Sequence, residues 1–179
     1  KLREPMVRLV QWARTFGVTS TNGGWQIPDQ SNPGTNLGQS PLRSPSVFNF
    51  YRPGFVPAST TLTPGVVVPE FQILNESSTG GYLNCIMSTI SAGIGPGNPR
   101  DMKASYTAEL ALVTDATALV RRVCLLLSAG QVSAANQAAI VAALENTPVT
   151  AASSSSTKLN RVYAAVLMAM ACAQYLIQK

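Results

Sequence analysis

Histidine is absent from all 179 residues, and that absence removes more chemistry than any motif in the chain supplies. Ser/His/Asp and Cys/His triads, histidine-ligated zinc and most general-base schemes built on a group titrating near neutrality go with it. Charge is scarce as well: Asp, Glu, Lys and Arg make up 12% of the chain, about half the ~25% of an ordinary soluble domain. The three cysteines, Cys85, Cys124 and Cys172, form no CxxC pair and have no metal spacing, so a zinc site is not expected. Each falls in an apolar helical pattern where a free thiol behaves as a small hydrophobe. One disulfide between two of them stays open for an exported protein, and the spacing does not choose the pair. The longest apolar run, Ala164 to Ala173, is well short of the ~20 residues of a membrane-spanning helix. There is no GxSxG, Walker loop or GxGxxG. Gly93-Ile94-Gly95-Pro96-Gly97 follows a helix and has a proline where a phosphate cradle needs donors, so it reads as a helix terminator. No cofactor is expected.

What remains is 46% hydrophobic, enough for one domain with a substantial core. Ala, Ser, Thr, Asn and Gln stand where a cytosolic surface carries Lys and Glu, which suits an exported or densely packed protein. The net charge of +5 invites a nucleic-acid reading, but the basic residues are scattered. Lys1, Arg3, Arg8 and Arg14 lie on the first helix and Arg43 and Arg52 in a long loop. Only Arg121 and Arg122 are adjacent farther on. A nucleic-acid binder would cluster them on one face; a solvated basic face is the plainer expectation, with no nucleic-acid partner.

The expected fold class is mainly α, about five helices packed as a single domain over 1–179, with 17–75 as an extended, ordered coil excursion. Leu2, Met6, Leu9, Val10, Ala13 and Phe16 recur at helical spacing before Gly17. Pro41, Pro45, Pro53, Pro57, Pro64 and Pro69 then forbid a long helix. Phe48, Phe50, Tyr51 and Phe55 nevertheless make the segment too aromatic for a disordered linker, and they predict a coil pinned to a core or a partner. A second helix follows Asn75, capped by Ser77 or Ser78, with Tyr82, Leu83, Ile86, Met87 and Ile90 on one face. A third, central one runs from Thr114 or Asp115 through Leu119, Val123, Leu126 and Leu127 to Gly130. A fourth begins at Ser133 and carries Ala138, Ile140, Val141 and Leu144. Ala151 to Thr157 reads as a low-complexity loop, and the last helix begins near Thr157, carries Leu159, Val162, Tyr163, Val166, Leu167 and Met170, and has the option of running on to Ile177.

The one constellation that could carry chemistry is acidic. Glu70 and Glu76 flank Phe71 to Asn75, and two carboxylates perform acid and base work when their environments split their pKa values. Gln72 and Asn75 add polar contacts, and Arg43 or Arg52 could grip a carboxylate or an anion. The structural alternative has Glu76 favouring a helix start while Glu70 pairs with Arg43 or Arg52 to hold the coil. The candidate ligand or interface residues are thus Arg43, Phe48, Asn49, Phe50, Tyr51, Arg52, Glu70, Gln72, Asn75 and Glu76; no catalytic, cofactor or metal residue is singled out.

The phrases SPLRSPSVFNFYRPGFVP (Ser40–Pro57), PEFQILNESS (Pro69–Ser78), LLLSAGQ (Leu125–Gln131) and MACAQYLIQK (Met170–Lys179) together resemble the C-terminal part of the bacterial family called domain of unknown function 1800. The family has no established activity. The resemblance implies export, a longer parent protein of which this is roughly the last third, and a place alongside sulfatase-like exported proteins. Two departures stand out: Ala171-Cys172-Ala173-Gln174-Tyr175 lacks a proline and an acid expected there, which would let the last helix run on, and Arg121-Arg122 replaces acidic or polar residues. Three functions compete. The first is a non-catalytic, exported structural or self-assembly subunit, forming a homo-oligomer or packing on other exported chains. The second is the C-terminal scaffold of an exported enzyme whose reactive residues precede this segment. The third is a small-ligand or metal module using Glu70 and Glu76.

Overall fold

Proline sets the start of the first helix: Pro5 occupies the first helical position, where its missing N–H and fixed φ cost nothing, and α1 runs Pro5–Thr15. The computed structural model describes residues 1–57 and 65–178; Pro64 and Lys179 lie outside them. After α1 come β1 (Thr19–Ser20), a 3₁₀ turn (Pro69–Ile73), α2 (Glu76–Ala92), β2 (Met102–Lys103), α3 (Thr107–Leu110), α4 (Ala116–Ser128), α5 (Ala134–Glu145), α6 (Ser155–Ala171) and α7 (Ala173–Leu176). The protein is mainly α, as expected, and the long helices α1, α2, α4, α5 and α6 correspond to the five predicted. The short β1 and β2 pair antiparallel, Thr19 opposite Lys103 and Ser20 opposite Met102. Between β1 and the 3₁₀ turn no helix or ladder strand forms among the described residues.

Side-chain oxygens start the helices. Asp115 accepts from the Ala118 N–H at 2.9 Å and Ser133 from the Asn136 N–H at 3.3 Å, as the sequence suggests. Two starts differ from expectation. Asn75, not Ser77 or Ser78, caps α2: its side chain accepts from the Ser78 N–H while the Ser78 hydroxyl accepts from the Asn75 N–H, both at 2.9 Å. Ser154 caps α6 at the Thr157 N–H, so part of the serine tract is helical. The last helix does not run on. Cys172 adopts ψ 132, which breaks α6 from α7 even without the expected proline.

The core lies around α4, which packs on α1, α3, α5, α6 and α7 and buries Leu119, Val120, Val123 and Leu127. Leu126 faces out, as do Leu83 and Met87 of α2, where Tyr82, Ile86 and Ile90 turn inward. In α1 the buried apolar stripe is Leu9 and Trp12, continued by Phe16 just past its end, leaving Val7 and Val10 exposed. The expected solvated basic face is also corrected: Arg3, Arg8 and Arg161 are buried. Arg3 lies over the Tyr175 ring at 4.5 Å and Arg8 over Tyr82 at 4.7 Å, where the negative ring faces offset part of the lost hydration. Burial lowers the Arg8 guanidinium below its ordinary pKa. Arg122 is spent internally too, its Nε 2.7 Å from the buried Glu109 carboxylate, tying α3 to α4.

Candidate functional site

The coil meets the helical body at the N-terminal end of α1, and a residue that sequence reasoning missed organises the junction. Glu4 precedes Pro5, and its carboxylate accepts from the Gln39 amide at 2.6 Å, the Tyr51 hydroxyl at 3.0 Å and the Asn49 amide at 3.4 Å. Asn49 reaches it from a left-handed backbone, φ 68, a conformation asparagine tolerates better than most residues. Gln39 is fully buried and its carbonyl oxygen accepts from the Met6 N–H at 3.4 Å. Lys1 bridges the two carboxylates of the junction, its ammonium 3.9 Å from Glu4 and 3.5 Å from Glu70. Burial and the Glu4 acceptor raise the Tyr51 pKa, so its hydroxyl remains a donor.

The predicted residues separate into distinct roles. Asn49, Tyr51 and Glu70 gather at the Glu4 junction. Glu70 pairs with Lys1, not with Arg43 or Arg52. Arg43 lies 3.7 Å from Asp29, both side chains well exposed, a pair of little energetic weight. Arg52 contributes its backbone: its N–H donates to the Gln72 side-chain oxygen at 2.6 Å, and the Val68 N–H donates to the Phe55 backbone carbonyl at 2.9 Å, so the 3₁₀ turn grips the coil. Asn75 is a cap. Glu76 sits exposed in the first turn of α2, where its charge suits the helix dipole. Phe50 and Phe55 are half-buried, but Phe48 is not pinned and remains 57% exposed.

Chemically the arrangement is a clasp. The Glu4 carboxylate is engaged by three internal donors with the Lys1 ammonium 3.9 Å away, an arrangement that ties the coil to the start of α1. Among the described residues no group of three or more His, Cys, Asp or Glu is placed to hold a metal ion. All three cysteines are free: Cys124 is buried, which pushes its thiol up to about 11, while Cys85 and Cys172 are half-buried. Glu4→Leu should strand the Gln39, Asn49 and Tyr51 donors at a cost of about 2 kcal/mol and loosen the coil. Hydrogen exchange checks this: the amides of Asn49 and Phe55, bonded to Ser46 and Arg52, should exchange at least tenfold faster, and unchanged protection would refute the clasp.

No signal short of the fold itself points to Glu4, because its partners Gln39 and Tyr51 lie 35 and 47 positions away. Among known proteins, no curated protein and no solved structure matches the chain. A family model does match, over residues 1–177, and by that match the chain belongs to the family described as Protein of unknown function (DUF1800).

Proposed function

We propose that this domain is a non-catalytic assembly module of an exported protein, working by packing against further copies of itself. One observation carries the reading: the same chain presents an apolar knob and an apolar groove on different parts of its surface. The knob is the coil from Leu42 to Phe48, where Leu42 is fully exposed, Val47 is 94% exposed and Phe48 is more than half exposed. Leu42 also holds a left-handed φ of 59, costly for a leucine that touches nothing in its own chain. The groove, about 550 Å³, runs along the C-terminal half of α1 between Leu9, Val10, Val18, Trp25, Ile27 and Met102. Among the described residues its only charged lining residue is Arg14. Knob and groove are separate patches, so their union is heterologous and builds a ring or a filament. Low charge and the Ser/Thr/Asn-rich surface favour export.

Sedimentation at several concentrations tests this. Copies that each carry +5 repel at low ionic strength, so association should strengthen as salt rises from about 20 to about 300 mM, beyond which screening changes little. Leu42→Ser with Phe48→Ser, or Val10→Glu alone, should return the protein to monomer without altering its melting temperature by more than ~3 °C. A monomer at 100 µM, indifferent to salt and to these variants, would overturn self-assembly. It would favour the second reading, a scaffold within a longer exported enzyme, which the missing histidine and the internally committed Glu4 carboxylate support. A ligand or metal module on Glu70 and Glu76 gains nothing from the geometry, since Lys1 already engages Glu70.

A further inference from the structure

A second cavity, of about 320 Å³, meets the apolar groove at Ile94, which lines both, and has room for about ten waters at ~30 Å³ each. One face of α2 supplies Asn84, Cys85, Ser88 and Thr89, neighbours at helical spacing. The coil supplies Gln30, and the turn after α2 supplies Arg100. Backbone contact fixes the walls at two places. Beside Gly81 the coil comes so near that an added Cβ would sit 2.2 Å from the Pro33 carbonyl oxygen, and at Gly93, φ 83, one would sit 2.2 Å from that of Met102. Only glycine allows either approach. The cavity is therefore preformed.

Its lining is polar and carries one sign of charge. Gln30 and Thr89 are 4% and 2% exposed, and Gln30 is locked in place, its amide donating to the Pro28 and Asp29 carbonyls and its oxygen accepting from the Cys85 thiol at 3.4 Å. Arg100 donates once, to the Gly93 carbonyl at 2.8 Å, and among the described residues it faces no carboxylate in an ion pair. The acids near it in sequence and space are engaged elsewhere: Asp101 accepts from the Ser20 and Thr21 hydroxyls and the Asn22 N–H, and Asp29 accepts from the Ser31 N–H beside Arg43. Among the described residues no carboxylate lines the cavity. A guanidinium fork with spare donors recognises a planar anionic group. The Asn84 amide and the Ser88 hydroxyl, which make no side-chain hydrogen bond among the described residues, suit hydroxyls next to that anion.

We propose that this cavity binds a small hydroxylated carboxylate, its carboxylate on Arg100 and its hydroxyls on Asn84 and Ser88. Calorimetric titration of the full chain with sodium gluconate and with sodium glycerate tests it, with glycerol and inorganic phosphate as comparators. At least one carboxylate should saturate below about 1 mM, the affinity range of a few well-placed polar contacts, while glycerol should give no heat. Arg100→Gln should weaken binding at least tenfold. Ser88→Val, at a half-exposed position that tolerates change, should weaken it severalfold with melting unchanged. Occupancy should also slow alkylation of Cys85 by iodoacetamide at least fivefold at pH 9, where burial still holds back its thiolate, with Cys172 as the unprotected control. No heat and no protection from either carboxylate at 20 mM, glycerol binding as well as they do, phosphate binding in their place, or binding indifferent to Arg100→Gln would each overturn the proposal.

Discussion

Exchanging Arg161 for methionine is expected to destabilise the domain by about 3–5 kcal/mol, because the Val113 and Thr147 carbonyls would lose the donors it supplies and the Leu144 carbonyl would be left to the Thr147 N–H at 3.3 Å. Arg161 projects from α6 with its side chain 4% exposed. It donates to the Val113 carbonyl at 3.2 Å and, from the other terminal nitrogen, to those of Leu144 and Thr147 at 3.1 and 3.0 Å. Leu144 and Thr147 lie at the end of α5, where carbonyls have no partner within the helix and the dipole is negative. One planar cation thus closes the end of α5, the turn before α4 and the flank of α6. Glu145, 4.0 Å away and exposed, adds little. The Nε proton has no partner, a cost already present in the native protein and one that methionine would remove. The net loss should appear as a melting temperature lower by on the order of 10 °C. Arg161→Lys should recover only part of it, since an ammonium cannot span three acceptors in a fork. A loss below ~1 kcal/mol for methionine in urea unfolding would mean that water or neighbouring groups already serve these carbonyls.

Trp12→Ala should cost about as much, 3–5 kcal/mol, the range for emptying a large aromatic site in a core. Trp12 is fully buried. Its indole N–H donates to the Tyr106 hydroxyl at 2.9 Å, which donates in turn to the Ile90 carbonyl at 3.2 Å. The Tyr106 ring lies 5.0 Å from Phe16 and 5.6 Å, edge-on, from Tyr163. This relay joins α1, α2, α6 and the segment before α3, elements that share few other polar contacts. Trp12→Phe keeps most of the volume and drops the donor, so it should cost only about 1–2 kcal/mol. Combined with Tyr106→Phe, the two losses should fall short of additive by at least 0.5 kcal/mol, the signature of a shared network. Strict additivity in denaturant titrations would reduce Trp12 to a space-filler.

The parts of this fold legible in the chain are those decided within a few residues. Asp115 and Ser133 act as caps because a short side-chain oxygen reaches an amide three positions on, and Gly17 and Gly93 end helices because of their own φ. Errors of one to three residues arose where neighbours could do the same job: Asn75 and Ser78 share a capping box, and any serine before Thr157 could have capped α6. The sequence leaves the rotation of α1 open, because Met6 and Val10 fit a helical stripe as well as Trp12 does. Only the body that α1 packs against tells the faces apart. Burial of Arg3, Arg8 and Arg161 was beyond local reading, since what makes a buried guanidinium tolerable is a ring or a carbonyl far along the chain: Tyr175 for Arg3, Tyr82 for Arg8, Val113 for Arg161. Asn49, Tyr51 and Glu70 are three of the candidate residues that the sequence offers. Their meeting point at Glu4 and Lys1 depends on a chain reversal that no periodicity encodes.

The first strand-like residues and the last ones hold each other. Leu2 pairs with Ile177, the Arg3 N–H donates to the Leu176 carbonyl at 2.8 Å and the Gln178 N–H to the Lys1 carbonyl at 2.7 Å. For folding kinetics this means that a seam of very high sequence separation must close before Leu2 and Arg3 are buried, and such closure pays its loop entropy before any contact rewards it. The bundle of α4, α5 and α6 can assemble from near neighbours, but α1 cannot be fastened at its N-terminal end until residues near 177 have left the ribosome. Through synthesis, then, Leu2 and Arg3 stay unburied after α4, α5 and α6 have emerged, and a holding chaperone would find them open until the seam closes.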